Sequence, residues 1–249
     1  EVASQGWPEL EVIGLRDIRV LKGIVLDDGP VTVRIAARPE THAHPEQAGL
    51  EVRVEITDSN QAGQIYYHAI LELVDQLPEP PPFESPFSAD MQPFTTSVDE
   101  AYRQYLFQGP PLQNILEIEG ISAEGIVGTL APSSPPQVLT AAPDGHWLID
   151  PLVLEGGFQL VIIWTRVYGD KTPLPSVFHA YRRYGSLSGK PIRCCVYSYF
   201  EPDGVVMHTD LYWLDSEGRV LGLLKDAESV CSKALNRLAG SRFTETRDL

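Results

Sequence analysis

The chain has 249 residues, 43% of them hydrophobic, which is enough apolar side chain for one large core or two small ones and too much for a disordered segment. With 34 acidic against 19 basic side chains and a formal net charge of −15, the average surface repels nucleic acid and anionic membranes, so neither is expected as a partner. Three cysteines, Cys194, Cys195 and Cys231, form neither a zinc spacing nor an even disulfide framework, which fits a reducing, cytoplasmic compartment. There is no signal peptide, lipidation motif or initiating Met, and the sequence reads as a piece of a longer polypeptide.

The opening residues, EVASQGW, read as the tail of a helix. Alternation of apolar and polar residues with β-branched enrichment then predicts half-buried antiparallel strands at Leu10–Val20, Val31–Ala37, Leu50–Thr57 and Gln64–Val74, separated by turn-forming DDGP and DSNQAG stretches. His42 and His44 lie in a polar connection with no third ligand nearby, so they read as loop residues and no metal is expected. His68 alternates within its strand and reads as a cross-strand neighbour. From Leu77 to Pro93 six prolines predict an extended, semi-rigid linker. Ser97–Phe107 reads as a short helix, with Ser97 as N-cap and Glu100 completing a capping box. Strands are expected at 114–121 and 125–130, and again at 176–184, 192–200, 205–214 and 219–228.

Between these strand groups lies the segment to be explained, GHWLIDPLVLEGGFQLVIIWTRVYG (145–169). Asp150 before Pro151 supplies an N-cap and an N1 proline, and Gly169 a stop. The helix between them is apolar almost all round, so it is a core helix. Asp150, Glu155, Gln159 and Arg166 interrupt it, which argues against a membrane span. Glu155 is the anomaly, a carboxylate flanked by Gly156 and Gly157, with Gln159 one turn later on the same face.

Strands, linker, helix, strands, buried helix and more strands form a loose duplication. Such a pattern predicts an α+β double hot-dog, two antiparallel sheets each wrapping a helix; a parallel α/β sheet would need a helix after nearly every strand. The expected division is 1–76 for the first half, truncated at the start of its helix, 77–96 for the linker and 97–249 for the second half.

The chain resembles the dehydratase domains of polyketide and polyunsaturated fatty acid synthases. DPLVLEGGFQ (150–159) follows that family's second-half helix motif, with Glu155 where the family carries its catalytic Asp. LFQGPPLQNI (106–115) matches a Tyr-Gly-Pro-x-Phe-Gln stretch through Gly109, Pro110 and Gln113 while replacing the aromatic residues, and DLYWLDSEGRVLGLLKDAESV looks like the closing hairpin. The family's HxxxGxxxxP motif, which carries a catalytic His, has no counterpart here; the chain starts at what would be the end of that helix. The resemblance implies removal of water from a 3-hydroxyacyl thioester carried on the phosphopantetheine arm of an acyl carrier protein, without a cofactor. It also implies neighbouring synthase domains in a multidomain protein, a homodimer, and a catalytic His upstream of Glu1. Other outcomes on the same fold are an inactive dehydratase-like scaffold, an acyl-binding domain or a product-template-type cyclase.

Dehydration needs a base for the α-proton and an acid for the departing hydroxyl. A carboxyl group in an apolar tunnel suits the acid role, because desolvation raises its pKa. The expected catalytic pair is Glu155 with Gln159 holding its carboxyl, and the expected substrate contacts are Gly109, Pro110, Gln113 and Gly156, the last letting an acyl chain approach the helix closely. The plain alternative is a buried acid satisfied by backbone or by an Arg such as Arg182, with Gly109–Pro110 a mere turn; Tyr102 and Tyr105 read as core or pocket alike.

Overall fold

A computed structural model describes residues 2–26, 29–40, 49–61, 63–87, 91–140 and 145–239. The alternating segments of the first 76 residues form β1 (Glu11–Val20), β2 (Val33–Pro39), β3 (Leu50–Asp58) and β4 (Ile65–Val74), preceded by helix α1 (Val2–Gly6). Those of the remainder form β5 (Ile115–Ser122), β6 (Gly125–Leu130), β7 (Thr172–Arg183), β8 (Ile192–Phe200), β9 (Val206–Leu214) and β10 (Val220–Ser232). Helices α2 (Val98–Gln104), α3 (Pro135–Val138) and α4 (Pro151–Gly169) complete the described elements, with 3₁₀ turns at Pro110–Leu112 and Lys233–Leu238.

All strand pairings are antiparallel, and their order is β2-β3-β4-β1-β7-β10-β9-β8-β6-β5. The expected pair of sheets is therefore continuous: β1 and β7 would each be an edge of its own half, and they satisfy one another's edge through pairs such as Leu15↔Tyr181 and Ile18↔Phe178.

Helix α4 lies on one face of the β5–β10 portion, where Ile126, Val196, Leu211 and Leu224 point, and its Leu160, Val161, Ile163 and Trp164 complete the main core. Two tryptophans anchor it to the sheet and strand ends: Trp213 Nε1 donates to Val153 O (3.2 Å) and Trp164 Nε1 to Ser122 O (2.9 Å). The first half has a smaller core, Ala3 of α1 against Val12, Val52, Leu71 and Leu73. Cys194 faces the main core while its neighbour Cys195 faces the opposite side of the sheet, so adjacency in sequence separates the two thiols in space. All three cysteines are free and buried.

Asp150 caps α4 as expected, accepting from Leu152 N–H (2.9 Å) and Val153 N–H (3.3 Å). The stop differs: Gly169 is still helical, and Asp170 takes the left-handed conformation (φ 48°), held by Lys233 and Asn236. Helix α2 ends at Gln104 rather than Phe107, and only half of its capping box forms. Ser97 accepts from Glu100 N–H (3.3 Å), while the Glu100 carboxylate turns forward to Gln104 (2.6 Å). The proline-rich segment has no helix or strand among its described residues, only the bridge Gln92↔Ile121. It nevertheless lies against the outer face of the sheet, with Phe83, Phe87 and Met91 packed on Val127, Cys195, Leu214 and Val220. His42 and His44 fall outside the described residues. Among the described residues no cluster could hold a metal ion, and no helix is long and apolar enough to cross a membrane.

Candidate active site

Glu155 sits half-buried in the second turn of α4 and lines a cleft of about 400 Å³ together with Phe107, Gln108, Gly109, Leu112, Val138, Pro151 and Leu152. Among these lining residues Glu155 is the one titratable side chain. Burial raises its pKa above the ordinary carboxylate value, against the opposing effect of hydrogen bonds from Gln108 and Gln159. The plain alternative of an arginine partner does not hold, because Arg182 reaches Glu72 at the seam between the halves.

The shorter of those two bonds comes from Gln108, whose Nε2 donates to Glu155 Oε1 at 2.8 Å. Sequence reasoning assigned this holding role to Gln159, and the structure changes the weighting. Gln159 Nε2 stands 3.5 Å from the same oxygen and makes its shorter bond to Leu112 O (2.8 Å). Gln159 is fully buried, and its amide oxygen accepts from Tyr102 Oη–H (2.7 Å). Tyr102 Oη in turn accepts from Asn114 N–H (3.0 Å) and Ile115 N–H (3.1 Å), so helix α2, the start of β5 and helix α4 meet in one buried polar chain. Desolvation raises the Tyr102 hydroxyl to about 12, keeping it protonated as a donor.

The other expected site residues fall in different places. Gly109 lines the cleft. Pro110 is exposed at the first position of the 3₁₀ turn, away from the lining, and Gln113 supports the turn by donating to Gln108 O (3.0 Å). Gly156 is absent from the cleft wall: a Cβ there would come within 2.5 Å of Asn114 Oδ1 and 2.9 Å of Leu130 Cδ2, and one on Gly157 within 2.8 Å of Leu211 Cδ2. The glycine pair thus lets the helix lie close on the sheet. Gln108, Tyr102 and Asn114 are the site residues that sequence reasoning did not assign. From sequence Tyr102 reads as core or pocket alike; the signal for Gln108 was its position directly before the Gly-Pro turn.

The arrangement can hold a proton on a desolvated carboxyl and present it to a group entering between apolar walls. No protein-family model matches the sequence, and no curated protein does. Solved structures share the fold over most of the chain. A trans-AT polyketide synthase dehydratase domain from Brevibacillus brevis superposes with a TM-score of 0.64 at 18% identity, covering 89% of this chain and 76% of its own. The dehydratase domain from the CurJ module of curacin polyketide synthase gives 0.67 at 14% identity, with 93% and 79% covered. That of RzxB from Pseudomonas fluorescens gives 0.58 at 12%, with 87% and 75% covered. The fold is the α+β hot-dog arrangement of dehydratase domains.

Proposed function

We propose that this chain is a dehydratase domain of a multidomain polyketide or fatty acid synthase. Its substrate is a 3-hydroxyacyl thioester on the phosphopantetheine arm of an acyl carrier protein, and its product the enoyl thioester. The observation that carries this reading is Glu155, a desolvated carboxyl on the central helix lining a mainly apolar cleft, in a chain folded like dehydratase domains. A base removes the α-proton, the electron pair forms the double bond, and the hydroxyl leaves as water with the proton of Glu155. The base in this reading is a histidine of the longer natural polypeptide, with Glu155 as the acid. Carrier protein, neighbouring synthase domains, a homodimeric assembly and a cytoplasmic setting belong to the same proposal.

The test follows enoyl product by mass spectrometry on a carrier-bound substrate, using the natural polypeptide that contains residues 1–249. Glu155→Gln keeps size and hydrogen bonding and removes the transferable proton, so turnover is expected to fall about 10²- to 10⁴-fold in a folded variant. Undiminished turnover would remove Glu155 from the mechanism.

A further inference from the structure

We infer that Gln108 is a positioning residue that decides which oxygen of Glu155 delivers its proton. The substrate side of this inference rests on the dehydratase reading; the carboxyl side stands on geometry alone.

Both amides around Glu155 are fixed in direction by a donor at their far end. Gln108 Oε1 accepts from Phe107 N–H (3.2 Å), so the amide nitrogen faces Glu155. At Gln159, Tyr102 Oη already accepts two backbone N–H groups, leaving its single proton for Gln159 Oε1. The nitrogen of Gln159 therefore gives one hydrogen to Leu112 O and turns the other toward Glu155. A flip of either amide would leave a donor unpaired, the part-buried Phe107 N–H or the buried Tyr102 Oη–H.

Both nitrogens meet Glu155 at Oε1, and no described residue hydrogen-bonds Oε2. A hydrogen on Oε1 would point into N–H donors. The protonated carboxyl therefore carries its hydrogen on Oε2, the oxygen left for a hydroxyl in the cleft. When the substrate hydroxyl takes that proton and leaves as water, the negative charge remaining on the carboxylate is received at Oε1 by donors already in place. Gln108 makes the shorter bond and lines the cleft, whereas Gln159 lies behind it, so the control rests with Gln108.

The experiment titrates the Glu155 side-chain carboxyl by ¹³C NMR in the 249-residue chain, the signal being assigned by its loss in Glu155→Gln. Gln108→Leu and Gln108→Met remove the donor at similar volume, and each is expected to move the Glu155 midpoint upward. In the unaltered protein, the side-chain amide protons of Gln108 are expected to shift with the same midpoint as Glu155, a measurement that needs no variant to fold. An unchanged midpoint in a folded variant, or Gln108 amide signals that stay flat through it, would overturn the inference. In the natural polypeptide, Gln108→Leu is expected to lower kcat about ten- to a hundredfold with little change in KM, and to move the alkaline limb of its pH profile upward. If dehydration is absent while the titration behaves as expected, the functional reading fails and the role of Gln108 on the carboxyl stands; loss in KM alone would overturn the positioning role.

Discussion

The two ends of the continuous sheet are built to different depths. Around β5–β10 a 19-residue helix fills one face, and large side chains such as Trp164, Trp213, Leu160 and Leu211 are essentially inaccessible. Around β1–β4 the five-residue α1 contributes Ala3 to a core of four further buried residues, and Val20, Leu21 and Ile35 remain exposed. Sheet pairing alone thus organises backbone in both portions, but the two hold a buried carboxyl differently: Glu51 in the thin portion is paired with Arg16 (2.7 Å), whereas Glu155 in the deep one meets only the neutral amides of Gln108 and Gln159.

This contrast can be broken by substitution. Trp164→Ala removes a side chain stacked on Phe200 and Tyr168 and a hydrogen bond to Ser122 O; we expect a loss of about 3–5 kcal/mol by denaturant unfolding. Leu73→Ala, equally buried but in the thin core, should lose about 2–3 kcal/mol, at the low end of such truncations because few buried neighbours are left around a cavity. Equal losses at the two positions would erase the distinction. Gly157→Ala sharpens it from the opposite direction, because the new Cβ meets Leu211 and Trp213. Overpacking offset by better helix propensity should leave a net loss of about 1–2 kcal/mol, and a gain would mean that the helix has room to lift.

The smallest effect concerns pH. Burial raises the Glu155 pKa, so the folded state holds this proton more tightly than the unfolded one. The associated stability is complete below the ordinary carboxylate value and is lost as pH rises through the raised value. Glu155→Gln is therefore expected to melt at or above the unaltered protein near pH 8, with the difference narrowing on acidification. A difference that widens toward acid would contradict a desolvated carboxyl.

Much of the fold was legible because period-2 alternation survives wherever one sheet face is buried, and most strand ends agree within two residues. The exceptions are the start of β7, expected at Ser176 and found at Thr172, and the end of β10, expected at Glu228 and found at Ser232. Pro173 and Pro175 argue against a strand, yet both pair with β10, at Cys231 and Ser229, while β1 is paired only with the later part of β7, Phe178–Arg182. Their missing N–H groups fall where no neighbour asks for a donor. Glu155 was legible as a charge inside an apolar helix. Gln108 was not, because it lies in a loop without periodicity and its bond to Glu155 spans 47 positions of sequence.

The proline-rich segment between the strand groups has a consequence for self-association. An open sheet ends in unpaired backbone groups that can template a second chain. At β5 that edge is occupied in part by Gln92, which exchanges bonds in both directions with Ile121 (2.9 Å each). Phe83 and Phe87, packed on the outer face, hold the approach to this edge in place. Proline has no N–H to donate, so the neighbouring Pro93 cannot extend the ladder outward. The segment thus covers part of the β5 edge, where a second strand could otherwise add.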